Sequence, residues 1–307
     1  MKRTTRRTAF AAAVLGSLLF VTACGDDDDD SSSADTEAPS DSAAPDTDAP
    51  SDGGDAAACA VGKTLEDGKI TIATGDPAFP PYVIDDAPET GQGFEAALAM
   101  AVAGEMGFDA EQVTWIRTAF DAAIAPGEKE FDFNLQQYSI RPDREEVVSF
   151  SDPYYAAPQA VIGAADSTLS VTKISDLKPL NIGVAAGTTS IDIVESVVQP
   201  DNEAQIFNSN ADANAALVNG QFDVMVVDLP TALYLSAVEF DNAKVFGQFP
   251  PESGTSAEPW GLLFAKDNPL VECANIALAN LTETGALEAI TTEWMGAYTE
   301  APELSAD

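Results

Sequence analysis

Apolar and polar positions alternate along Lys69-Ile70-Thr71-Ile72-Ala73-Thr74-Gly75, which predicts a strand that runs into a loop at the glycine. Gly93 to Gly107 carries apolar residues at helical spacing and is closed by Gly107, so it predicts a helix. Val113 to Ile116 predicts a second strand, Phe120 to Ala125 a short helix ended by Pro126-Gly127, and Phe131 to Leu135 a third strand. The same order returns downstream. Leu180 to Ala185 reads as a strand, Gly187-Thr188-Thr189 as a loop and Ser190 to Val198 as a helix. Ala204 to Phe207 follows as a strand, Asp212 to Val218 as a helix ended at Asn219-Gly220, and Phe222 to Val227 as the last strand. Both copies end on a Phe-Asp-apolar run, at Phe131-Asp132 and at Phe222-Asp223. Two βαβαβ units with crossover helices imply an α/β fold of two parallel-rich sheets. Open α/β sheets take ligands outside the carboxyl ends of their strands, so two such lobes face to face make a cleft.

The first residues follow a different pattern. Lys2, Arg3, Arg6 and Arg7 form a basic segment, and Ala9 to Val21 is an apolar run of 13 residues. A membrane-spanning helix needs about 20, so residues 1–23 are expected to be a signal peptide. Val21-Thr22-Ala23-Cys24-Gly25 resembles the lipobox of bacterial lipoproteins, in which cleavage precedes a cysteine that then carries lipid. An ordinary secretory signal with Cys24 incidental is the alternative. Residues 24–58 hold Asp26 to Asp30 and seven further acids among Ser, Ala, Pro and Gly, with no basic residue. Such a segment cannot bury a core and is expected to be an extended tether.

Charge and composition then narrow the function. Lys+Arg 14 against Asp+Glu 51 gives a net charge of −37, which repels nucleic-acid backbones. Histidine is absent, which excludes a Ser-His-Asp triad, a Cys-His pair and a His-ligated metal; three cysteines are too few for a zinc or iron–sulfur cluster. No metal or cofactor is expected. With Cys24 assigned to lipid, Cys59 and Cys273 remain, outside the cytoplasm where disulfides persist. A bridge between them is the expectation, two free thiols the alternative.

The chain from roughly 65 to 300 resembles the family 3, polar-amino-acid solute-binding proteins of ATP-driven (ABC) importers. The residues that carry the resemblance are Gly93-Phe94-Glu95 opening a helix, Tyr138-Ser139-Ile140-Arg141-Pro142-Asp143-Arg144 and Phe150-Ser151-Asp152-Pro153-Tyr154. Gly187-Thr188-Thr189, Val226-Val227-Asp228 and Glu258-Pro259-Trp260-Gly261 complete the series. Two positions depart from the family: Ala97, where an acid is usual, and Arg141, where threonine commonly precedes the proline. The resemblance implies a two-lobed periplasmic-binding-protein-like fold. Lobe 1 is then 59–160 with a return segment at 258–300, lobe 2 is 161–257, and 301–307 is a tail. Hinge closure is expected near Gln159–Ala164 and Trp260–Phe264.

It also implies a site. Arg144 offers a planar fork for a ligand carboxylate, with Ser139 and the Thr188-Thr189 loop adding donors. Asp228, at the end of an apolar strand, is expected to meet the ammonium, with the Gln137 carbonyl as second acceptor and Tyr138 in the same segment. Phe79 and Phe120 match the positions that sandwich the ligand side chain. Asp76 either meets the cationic end of a basic ligand or only makes a turn with Pro77. The bland alternatives make Arg144 a surface ion pair and Asp228 a helix cap. Acids at 76, 95 and 121 lean toward a basic ligand, whereas Arg117 and Arg141 suit an acidic one. The expected protein is a monomeric, lipid-anchored extracytoplasmic receptor that is not an enzyme. It binds a polar amino acid and presents it to an ABC permease. A sensor feeding a membrane signalling partner and an enzyme resembling cyclohexadienyl dehydratases are the rival readings.

Overall fold

The alternating run at Ile70 forms the second strand of a five-stranded sheet. The structure, a computed structural model, describes residues 54–236, 243–251, 257–298 and 300–306; the expected signal peptide, Cys24 and the expected tether to residue 53 lie outside them. Strands β1 (Ile70–Gly75), β2 (Val113–Thr118) and β3 (Phe133–Asn134) pair in parallel, with β1 between the other two. The order β2-β1-β3 is completed by β12 (Leu263–Ala265) and β4 (Val148–Phe150), both antiparallel additions. Alternation along β1 sends Ile70 and Ile72 to one core and Ala73 to the other. The first core is covered by α2 (Phe94–Glu105), α8 (Leu270–Glu283) and α9 (Ala286–Met295).

The second lobe repeats this plan. Strands β7 (Ile182–Ala185), β8 (Gln205–Phe207) and β9 (Val224–Asp228) are parallel with β7 central, and β6 (Gln159–Ala164) and β10 (Ala243–Gln248) add antiparallel. Strands β6 and β9 are buried on both faces: Val161, Val224 and Val226 enter one core, and Ala160, Ile162, Met225 and Val227 the other. Their near-continuous apolar runs follow from that two-sided burial. The quasi-repeat in the sequence is thus the three parallel strands at one edge of each sheet.

Three boundaries differ from the sequence reading. The chain crosses between sheets as a two-stranded ribbon of β5 (Tyr155–Ala157) against β11 (Glu258–Trp260). Gln159 and Ala160 therefore belong to lobe 2, because β6 is bonded along its length to β9, and the expected hinge shifts back to Tyr155–Pro158 and Glu258–Trp260. The tail returns to lobe 2: Leu304 is buried in its core, Leu304 N–H donates to Gln248 O at 2.9 Å and Ser305 N–H to Thr172 O at 2.9 Å. Ordered structure also begins inside the expected tether, with α1 (Ala56–Ala60) capped by the Asp55 side chain at 2.8 Å. Helix α1 is joined to α8 by a disulfide between Cys59 and Cys273, Cα–Cα 5.4 Å. Among the described residues no helix is long and apolar enough to cross a membrane.

Candidate functional site

Every parallel strand delivers its carboxyl end to the same gap between the lobes. From lobe 1 come the loop after β1 with Asp76 and Phe79, the turn after β2 that opens α3 (Phe120–Ile124), and Gln136 to Ser139 after β3. From lobe 2 come the loop that opens α5 (Thr189–Ile193), the residues that open α6 (Asn210–Val218), and Asp228 at the end of β9. Together they enclose a cavity of about 70 Å³. This is where the topology of open α/β sheets puts a ligand.

Arg144, on α4 (Pro142–Glu145), is 5% exposed. Its Nη1 donates to Ser139 O at 2.9 Å and its Nη2 crosses the gap to Gly187 O at 2.9 Å. Its guanidinium lies 5.6 Å from the Phe120 ring centre. Burial and the neighbouring Arg141 charge pull its pKa down. Among the described residues no carboxylate forms an ion pair with it. Two carbonyls satisfy donors but do not neutralise a buried charge.

Asp228 faces it from lobe 2. Burial first, then Glu258, push its pKa from 3.8 to about 8, against the opposing pull of Arg144 and Gln159. Gln159 Nε2 donates to the carboxylate, and Ser190 Oγ donates to Gln159 Oε1 at 2.7 Å. Asp228 starts α7 (Leu229–Tyr234) but makes no side-chain cap, so capping does not account for it. The lobes thus present to a common cavity a buried cation and a half-buried acid, neither with an ion-pair partner among the described residues.

The other expected residues divide. Asp76, Phe79, Phe120, Gln137, Ser139, Thr188 and Thr189 line the cavity with Arg144 and Asp228. Tyr138 does not: its ring is fully buried behind Phe120, stacked at 4.7 Å, because alternation past β3 turns it into the lobe 1 core. The Ser139 hydroxyl donates to Glu258 Oε2 at 2.7 Å, and Thr188 Oγ1 to Ala185 O at 2.8 Å, so both are engaged within the protein. Gln136, Gln159, Ser190 and Asn208 to Asn210 line the cavity without having been expected. All but Ser190, which lies in the first turn of α5, sit at or beside strand ends, the signal that would have found them.

The residues weighed for ligand charge also resolve. Arg117 bonds Gly75 O at 2.9 Å and Asp86 Oδ1 at 2.6 Å, and Asp86 accepts from Ala78 N–H at 3.0 Å, which braces the loop that carries Asp76 and Phe79. Arg141 is paired to Asp143 at 2.9 Å and, across the gap, to Asp192. Neither arginine faces the cavity, and neither do Glu95 and Asp121; Asp76 is the one of the five that does. The lobes meet a third time at the Tyr82 and Thr231 hydroxyls, 2.9 Å apart.

Comparison with known proteins places this geometry. The family described as "Bacterial extracellular solute-binding proteins, family 3" matches residues 70–297. The L-cystine-binding protein TcyJ of Escherichia coli (strain K12) is 26% identical over 239 residues, 76% of this chain and 85% of the relative. An arginine-binding periplasmic protein of Mannheimia haemolytica is 25% identical over 240 residues, 78% and 94% respectively. Among solved structures, an ancestral arginine-binding protein bound to arginine is 30% identical with a TM-score of 0.64, covering 75% of this chain and 99% of that one.

Proposed function

The chain belongs to the bacterial extracellular solute-binding proteins of family 3, and on that premise we propose that it captures a basic α-amino acid between its lobes. The single observation that carries the reading is the placement of Arg144 and Asp228, without ion-pair partners among the described residues, on opposite sides of one cavity. An α-amino acid brings a carboxylate that neutralises the first and an ammonium that lets the second ionise, so each ligand charge meets its opposite inside the cavity. Phe79 and the exposed face of Phe120 cover the side chain, and Asp76 meets a cationic end. Asp76 is free for that role, while Arg117 and Arg141 are committed to protein carboxylates, which favours a basic over an acidic ligand. The names of the arginine-binding relatives agree.

In this reading ligand contacts from both lobes stabilise the closed state, and the β5–β11 ribbon is where the lobes rotate. The protein works as a monomer, held to the membrane by lipid on Cys24 through the acidic tether, and delivers its ligand to an ABC permease. The test is a thermal-shift screen of the twenty amino acids with ornithine, citrulline and cystine, since a ligand at about 100 times its Kd adds about 2.7 kcal/mol. Basic amino acids should give the largest shifts, and Arg144→Ala should remove them with the fold intact by circular dichroism. No shift with any amino acid would overturn the reading.

A further inference from the structure

Glu95 is a fully buried acid in the first turn of α2, directly behind the cavity wall and outside the cavity itself. Its placement begins at Gly93, whose φ is 107° and where a Cβ would come within 2.4 Å of Tyr82 O. That close approach lets Phe94 N–H donate to Pro81 O at 2.8 Å and Glu95 N–H to Tyr82 O at 3.0 Å, which locks the helix start onto the loop that carries Phe79. The Glu95 carboxyl then faces three donors. Oε1 accepts from Gln137 N–H at 2.8 Å and from the Tyr154 hydroxyl at 2.5 Å, and Oε2 accepts from Gln137 Nε2 at 2.5 Å. Gln137 has φ 53°, a left-handed conformation that residues with a Cβ adopt only when held there. It lies in the Gln136–Ser139 wall, whose Ser139 carbonyl in turn holds Arg144.

We propose that Glu95 is a positioning residue for ligand capture: as a carboxylate it holds the Gln137 peptide in its left-handed conformation and so sets the wall against which the ligand closes. This rests on the reading of the cavity as an amino-acid site. Three donors face the group, two of them N–H groups that can only donate, so the ionised form makes all three bonds at once; a protonated carboxyl would have to turn the Tyr154 hydroxyl into an acceptor or meet a Gln137 N–H. Burial, opposed by the Tyr154 and Gln137 hydrogen bonds, pushes the Glu95 pKa up to about 7, so the hold loosens as pH falls through neutrality. The other titratable groups around it are Tyr82, Tyr138, Tyr154 and Asp228. Burial raises all three tyrosines above their ordinary values, so they stay neutral over the range that matters. Asp228 titrates near 8 in the empty site and is itself pushed up by the Glu95 charge, as the last and smallest of its causes, so Glu95→Gln also lowers the Asp228 pKa.

The experiment has two arms on the mature protein and its Glu95→Gln variant. In the ligand-free arm, the Gln137 amide NMR shift should titrate with a midpoint near 7 in the wild type and stay flat in the variant. In the binding arm, calorimetry with L-arginine should show the wild type about tenfold tighter at pH 8.5, the scale of one hydrogen bond to a charged group. That gap should close at pH 5.5, where Glu95 is protonated and its effect on Asp228 disappears with its charge. A gap that is absent at pH 8.5, or the same at both pH values, overturns the proposal, as does a Gln137 amide that does not titrate. Failure of L-arginine and every other amino acid to bind would instead bring down the functional reading, while the amide titration still reports on Glu95.

Discussion

Asp228→Asn should stabilise the ligand-free protein and cripple its binding, because the same buried acid that serves the ligand strains the empty fold. Displacement of its pKa from 3.8 to about 8, mainly by burial, means that folding must protonate it at neutral pH. At pH 7 that work is roughly 4 kcal/mol, an upper bound because local relaxation and water entry reduce it. The sign follows from the direction of the shift. The folded pKa is raised, so the cost is absent below 3.8, grows as pH rises through the window to about 8, and is constant beyond it. Asparagine keeps an oxygen to accept from Gln159 Nε2 and carries no ionisation cost. Urea denaturation at pH 4, 6 and 8 should therefore show the variant's advantage over wild type emerging between pH 4 and 8. Binding moves the other way, since the ligand ammonium loses its charged partner inside a closed cavity. That costs on the order of 2–5 kcal/mol, or roughly 30- to several-thousand-fold in Kd, read by calorimetric titration with L-arginine. A variant that is less stable than wild type at pH 8, or that binds within threefold of it, would refute the assignment of Asp228 as a strained, ligand-serving acid.

The remaining structural features yield three further outcomes. Cys24→Ala should move the protein from the membrane fraction to the soluble fraction, because acyl chains on that residue are what would anchor it; unchanged detergent partitioning would count against lipidation. Cys59→Ser with Cys273→Ser should lower stability by about 2–5 kcal/mol, since the bridge spans a sequence separation of 214 and ties α1 to α8. Equal denaturation midpoints for the two proteins would show that α1 adds nothing to the lobe. Asp192→Asn should weaken ligand binding by about 2- to 5-fold, in proportion to a partly exposed ion pair that exists only when the lobes meet. Raising salt to 1 M should weaken wild type by a similar factor and leave the variant little changed, and a wild type indifferent to salt would mean the Arg141–Asp192 pair does not hold the cleft shut.

What the sequence reveals about such a protein depends on whether the information is local. The parallel strands of each sheet are consecutive along the chain, so their alternation and their Gly and Asn-Gly stops were readable, as was the repeat they form. The completing strands β4, β6, β10 and β12 are not: each earns its place only by pairing with a strand distant in sequence, and β12 lies antiparallel beside β3, more than a hundred residues upstream. The lobe boundary moved for the same reason, since nothing within Gln159-Ala160 says that they will pair with Asp228 and Val227. In the site, the expected residues that line the cavity lie in the loops and short helices that follow the parallel strands, where a motif can be read locally. Tyr138 was misplaced because one step along an extended segment reverses the face, and the sequence does not say where β3 stops alternating. Arg117 and Arg141 looked like candidates until their partners Asp86 and Asp192, both remote in sequence, were in view. Glu95 shows the limit most clearly. Its motif Gly93-Phe94-Glu95 was legible as a helix start, yet each of the three residues is there for a tertiary reason. Glycine is required by the Tyr82 carbonyl, phenylalanine packs against Tyr154 and Tyr155, and glutamate holds a peptide 42 residues away. A short motif in this fold is the trace of a long-range contact, and its chemistry can be assigned only once the contacting partner is known.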